Sequence, residues 1–207
     1  MEKTKIICIL DRSGSMDSIV DDAIGGFNTF LSQQQNVDGE AIMTIVQFDH
    51  EYDIICKDVD IHEVASLNKN TFVPRGSTAL YDAIGKTIND EIDLLGITPP
   101  EERCGKTLII ITTDGYENAS REYNNDQIAT LIKEQREVYN WEFIFLAANQ
   151  DAMLAAQSMN ISMGNSFTYS ADSRGVTESY NKMSMASSKY RSAAKGVSTL
   201  NLMDEEE

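Results

Sequence analysis

The residues best suited to chemistry lie in three short stretches. In "ICILDRSGSM" an apolar run stops at Asp11, and hydroxyls follow at every second position, Ser13 and Ser15. "PRGSTALYDAIG" adds Thr78, and "TLIIITTDGYEN" adds Asp114. Two carboxylates and three hydroxyls make an all-oxygen donor set. Such a set suits a hard divalent cation, Mg²⁺ or Mn²⁺, that keeps part of its water shell, and it does not suit soft-metal chemistry. Taken singly, each hydroxyl reads as a helix cap, because Ser and Thr satisfy free N–H groups at helix starts. Taken together with Asp11 and Asp114, they read as a metal site.

For these five residues to meet, strands must deliver them to one edge of a sheet. Four apolar runs read as strands: Lys5 to Leu10, Ala41 to Phe48, Thr107 to Thr113 and Trp141 to Ala148. Helix-period stretches alternate with them, the pattern of a parallel sheet covered on both faces. Val20, Ile24, Phe27 and Leu31 form one helical stripe; Ile84, Ile88, Ile92 and Leu95 form a second. A third helix is expected from Asn125 to Tyr139, with Ile128, Leu131 and Ile132 facing inward. "QFDHEYDIIC" leaves no room for a crossover helix, so its second half must return antiparallel as an edge strand. Ligands of open α/β sheets bind beyond the carboxyl ends of the strands. Asp11 and Asp114 each end a strand, Ser13 and Ser15 lie in the turn to the first helix, and Thr78 opens the second.

In kind, order and spacing, "DRSGSM", the threonine of "RGSTALYDAIG" and the aspartate of "TTDGYEN" resemble the metal-ion-dependent adhesion site (MIDAS) of von Willebrand factor A (VWA) domains. The resemblance runs from about Lys3 to Ala148 and is nearest in style to small intracellular bacterial or phage members of that family. It implies a Rossmann-like, doubly wound, mostly parallel α/β sheet with one antiparallel edge strand and helices on both faces. It also implies that Ser13, Ser15 and Thr78 touch the ion, while Asp11 and Asp114 hold it partly through water. The function implied is a non-enzymatic binding module whose Mg²⁺ (or Mn²⁺) coordinates an acidic residue of a protein partner. Specificity would then come from the surrounding loops, where Arg75 and Tyr116 are the candidate partner-binding residues, since interfaces favour Arg and Tyr at their energetic centres.

The competing reading is a metal-dependent phosphohydrolase with Asp11 as nucleophile. Phosphatases resembling haloacid dehalogenases place a second aspartate two residues later as the acid, and here that position is Ser13, so the proton donor is missing. No G-x-x-x-x-G-K-[ST] phosphate loop occurs in the sequence. His50 and His62 are the only histidines; neither has Cys or His companions at zinc spacing, and two alone make a thin case for a serine hydrolase base. Gly25-Gly26 falls inside a helical stripe and reads as a close packing contact. Asp17, Asp21, Asp22 and Asp82 read as charge in the first turns of helices. The "NAS" and "NIS" patterns at Asn118 and Asn160 carry no meaning in a chain that is not secreted.

Composition bounds the core and the partner classes. The 207 residues, 42% of them hydrophobic, suffice for one core, and a net charge of −16 disfavours nucleic acid and anionic membranes as partners. Three widely spaced cysteines and the lack of a signal-type cleavage site lead us to expect a cytoplasmic location. We expect the VWA domain over residues 1–170. A C-terminal helix packed on it, with Val176, Tyr180, Met183, Ser187, Tyr190 and Ala194 at helical spacing, and a flexible acidic tail would fill 171–207. The tail's Asp204 to Glu207 read as a solvated charge run or, alternatively, as a carboxylate ligand for the metal site. The oligomeric state is left open.

Overall fold

The structure, a computed structural model, describes residues 2–147, 150–168 and 173–194. Among these, six strands form one sheet, β1 (Thr4–Asp11), β2 (Ala41–Phe48), β3 (Tyr52–Asp60), β4 (Lys106–Thr113), β5 (Glu142–Ala147) and β6 (Ser166–Thr168), in the spatial order β3-β2-β1-β4-β5-β6. All pairings are parallel except β2 with β3. This is the doubly wound α/β sheet with one antiparallel edge strand that the sequence pattern called for. β1, β4 and β5 are buried along their whole length, as their unbroken Ile, Leu and Phe content requires of strands covered on both faces.

Among the described residues five α-helices cover the sheet: α1 (Val20–Gln35), α2 (Leu80–Ile97), α3 (Asn125–Tyr139), α4 (Gln150–Ser158) and α5 (Ser173–Ser192). Side-chain alternation along β1 divides the core. Ile6, Cys8 and Leu10 join the layer of α1 and α5, whereas Ile7 and Ile9 join that of α2, α3 and α4. The α1 stripe buries Phe27 and Leu31 and packs Val20 and Ile24 at its margin. Ile84 and Ile88 of α2 and Ile128 and Ile132 of α3 are wholly buried. In α5, Val176, Tyr180, Met183, Ser187 and Tyr190 face the core, while Ala194 lies past the helix end and is exposed. The acidic tail, Asp204 to Glu207, lies outside the described residues.

Winding reverses between β1 and β4, which leave the sheet centre in opposite directions: β1 leads through α1 to β2 on one side, and β4 leads through α3 to β5 on the other. The crevice beyond their carboxyl ends is the switch point at which such sheets bind ligands. Asp11 closes β1 there, and Asp114 directly follows β4.

Candidate metal centre

Three loops meet at this crevice and are stitched together through their backbones. The Arg75 N–H donates to the Arg12 carbonyl at 2.8 Å, the Gly14 N–H to Gly76 at 3.1 Å, and the Ala79 N–H to Asp49 at 2.8 Å. Gly76 has a left-handed φ of 67°, and a Cβ there would fall 2.1 Å from His50 Nδ1. Only glycine allows both that turn and that approach.

The five predicted donors converge. Asp11 is fully buried; its Oδ1 accepts the Ser13 N–H at 2.6 Å and its Oδ2 accepts the Thr113 hydroxyl at 2.6 Å. Ser13 and Ser15 hydroxyls lie 3.1 Å apart, and Ser15 donates to Asp114 Oδ1 at 2.6 Å. Thr78 joins them from the loop before α2. A Cβ placed on Gly115 would stand 3.2 Å from Thr78 Oγ1, 3.3 Å from Ser15 Oγ and 3.9 Å from Ser13 Oγ. One point in space is therefore ringed by three hydroxyl oxygens and kept free of side chain by a glycine. The capping alternative fails on geometry: Ser13 begins the short 3₁₀ turn Gly14–Ile19 without a side-chain cap, and α2 starts after Ala79, so Thr78 caps nothing.

The electrostatics suit a cation. Burial pushes the Asp11 carboxyl up to about 6, with the Asp114 charge adding to the rise and hydrogen bonds from Thr113 and Ser13 opposing it. Burial likewise raises Asp114 above the usual carboxylate range. Two partly desolvated carboxyls side by side are the arrangement that a positive ion relieves. Among the described residues no three His, Cys, Asp or Glu side chains come together as a metal-binding group, so any ion here depends on the hydroxyls.

The two candidate partner residues differ in setting. Tyr116 is 56% exposed on the loop after Asp114. Arg75 is half-exposed, but its guanidinium is engaged, with Nε on Asp49 Oδ2 at 2.9 Å and a terminal nitrogen on Glu51.

Sequence reasoning missed three supports of the site. Asp49, directly after β2, is fully buried and accepts from Arg12 Nε at 3.0 Å, Arg75 Nε and the Glu51 N–H at 2.7 Å. Burial opposes its charge, but these donors together hold its carboxyl below the usual range. A signal was present, because Asp49 ends its strand just as Asp11 and Asp114 do. Thr113 is the second support, through its bond to Asp11. Asp82 is the third. It is not mere helix-terminal charge, since its carboxylate is buried and accepts the N–H groups of Arg121, Glu122 and Tyr123, each at 2.9 Å.

The sequence matches no family model and no curated protein. The fold does match solved structures. The pilus adhesin SpaC from Lactobacillus rhamnosus GG superposes with a TM-score of 0.67 at 14% identity, over 92% of this chain and 31% of that one. Proximal thread matrix protein 1 from the mussel byssus, solved with a zinc-occupied MIDAS motif, gives 0.62 at 13% identity, over 89% and 48%. A von Willebrand factor type A protein from Catenulispora acidiphila gives 0.58 at 13% identity, over 91% and 43%. This chain spans about half the length of the mussel protein or less of the others. At these identities the likeness establishes the fold: the chain has the von Willebrand factor A fold. No helix among the described residues is long and apolar enough to cross a membrane.

Proposed function

We propose that this protein is a divalent-metal-dependent protein-binding module. The observation that carries this reading is the convergence of the Thr78, Ser15 and Ser13 hydroxyls on the point beside Gly115, with Asp114 bonded to Ser15 and the buried Asp11 behind them. Ser13, Ser15 and Thr78 would hold the ion, with Asp11 and Asp114 supplying the negative charge. The mussel protein's zinc-occupied motif supports a divalent ion at a site of this fold. The all-oxygen donors here favour Mg²⁺ or Mn²⁺ over zinc, which prefers nitrogen and sulfur.

Bound among neutral hydroxyls, such an ion keeps much of its charge and offers an open position to an anionic oxygen. A Glu or Asp of a protein partner fits that position, and the exposed Tyr116 and the engaged, half-exposed Arg75 are the residues that would read the partner. The phosphohydrolase alternative has the geometry against it: Asp11 is fully buried and both of its oxygens are occupied, so it presents no free nucleophile.

Calorimetry tests the metal. Wild-type protein should bind one Mn²⁺ or Mg²⁺ per chain, and the Asp11→Ala, Asp114→Ala double variant should bind none. Unchanged binding in the double variant overturns the site. For the partner, retention by immobilised protein should need Mg²⁺, be reversed by EDTA and be lost in the same variant. Mg²⁺-dependent phosphate release from a generic phosphoester would restore the enzyme reading.

A further inference from the structure

Thr78 differs from the other donors in having no strand behind it. It lies in the irregular stretch of residues 64–79 that links β3, by way of a single 3₁₀ turn, to α2. Its side chain is nonetheless buried, so something outside its own segment must aim it. One residue holds its backbone from both sides. The Thr78 N–H donates to Asn118 Oδ1 at 3.0 Å, and the Thr78 carbonyl accepts the Asn118 N–H at 3.0 Å, with the Ala119 N–H at 3.2 Å beside it.

We propose that Asn118 is a positioning residue of the metal centre, clamping Thr78 so that its hydroxyl faces the point it shares with Ser15 and Ser13. The inference rests on the metal-site reading above. Asn118 follows Asp114 by four positions, so the loop that supplies one donor also fixes another. The loop is itself tied down by hydrogen bonds. The Glu117 carboxylate accepts the N–H groups of Ala119 at 2.9 Å and Ser120 at 2.7 Å, the Ser120 hydroxyl at 2.7 Å, and the Tyr81 N–H at 3.0 Å. A side-chain acceptor of this length is what position 118 needs: alanine cannot accept, glutamine places its oxygen one methylene too far, and aspartate accepts from the same place. The bond also gives the asparagine of the "NAS" pattern a local structural task.

The test measures Mn²⁺ binding by the full chain, with circular dichroism of each variant without metal. Asn118→Ala and Asn118→Gln should weaken Mn²⁺ binding about tenfold, as loss of a group that orients a metal ligand does. Asn118→Asp should bind as tightly as wild type or tighter. Wild-type affinity in the alanine or glutamine variant overturns the proposal, as does an aspartate variant as weak as alanine. Should the alanine variant not fold, the contrast between glutamine and aspartate decides. A wild-type chain that binds no Mn²⁺ would overturn the metal-site reading itself and this inference with it, a result distinct from every other.

Discussion

The space at the centre of the site is defined by what Gly115 lacks. Its φ is not in the left-handed region, so a side chain would cost no backbone strain there; what crowds one is the group of Thr78 Oγ1, Ser15 Oγ and Ser13 Oγ around it. Gly115→Ala would set a methyl 3.2 Å and 3.3 Å from two of the oxygens. These distances are tight but can be relieved by shifts of a few tenths of an ångström, so the fold should survive. A methyl cannot coordinate, however, and it would stand at the point proposed above for the ion. The expected outcome is at least a tenfold loss of Mn²⁺ affinity, with melting of the metal-free protein within a few degrees of wild type. Wild-type affinity in the alanine variant would show that the ion, if bound, lies elsewhere. Residue types and order were enough to point to the five candidate donors, whose side chains the structure brings together. The glycine's part was not legible, because it depends on three loops meeting at one point.

Helix α2 shows how an element can depend on residues that its own sequence does not contain. A helix start leaves N–H groups without partners, and α2 brings no side-chain cap of its own. Glu117 accepts the Tyr81 N–H and the Ser120 hydroxyl accepts that of Asp82 at 3.0 Å, while Asp82 in return accepts three N–H groups from residues 121–123. The partners are 36 to 41 residues apart, which is why local patterns read Asp82 as helix-terminal charge. The stripes and apolar runs, by contrast, are local periodicities. They placed α3 at Asn125–Tyr139 and β2 at Ala41–Phe48, as the structure has them. Burial opposes the Asp82 charge, but the three N–H donors hold its carboxyl below the usual value. A folded pKa below the unfolded value of about 3.9 adds stability that is present above that pH and lost as pH falls through the folded value. Asp82→Asn should therefore lower stability by about 1.5–3 kcal/mol at pH 7, the range for hydrogen bonds to a charged group. The gap in urea midpoint between the variant and wild type should narrow as pH drops below 4. A gap of constant size across that range would contradict the charge-based account.

Across the whole molecule, the C-terminal helix is joined to the sheet by buried contacts from segments distant in sequence. Lys106 at the start of β4 donates to the carbonyls of Tyr190 at 2.8 Å and Arg191 at 3.1 Å and to that of Ala193, while Arg191 reaches the carbonyls of Gln34, Val37 and Gly39 at the end of α1. Cations thus satisfy the terminal carbonyls of two helices. Between the two helices, the Gly25-Gly26 pair resolves into two different positions. Gly26 lies under the buried Tyr180 ring, where a Cβ would come within 2.3 Å of it, whereas a Cβ on Gly25 meets nothing within 4 Å. Sequence suggested close packing for the pair but could not assign it, because the choice belongs to a ring more than 150 positions away. The two alanine substitutions should consequently act in opposite directions. Gly26→Ala overpacks the contact of α1 with α5 and should cost about 1–3 kcal/mol. Gly25→Ala, exposed inside a helix, should gain about 0.5–1 kcal/mol from the higher helix propensity of alanine. Urea denaturation of the two variants checks this, and a Gly26→Ala protein as stable as Gly25→Ala would show that α5 does not pack on α1 through Tyr180.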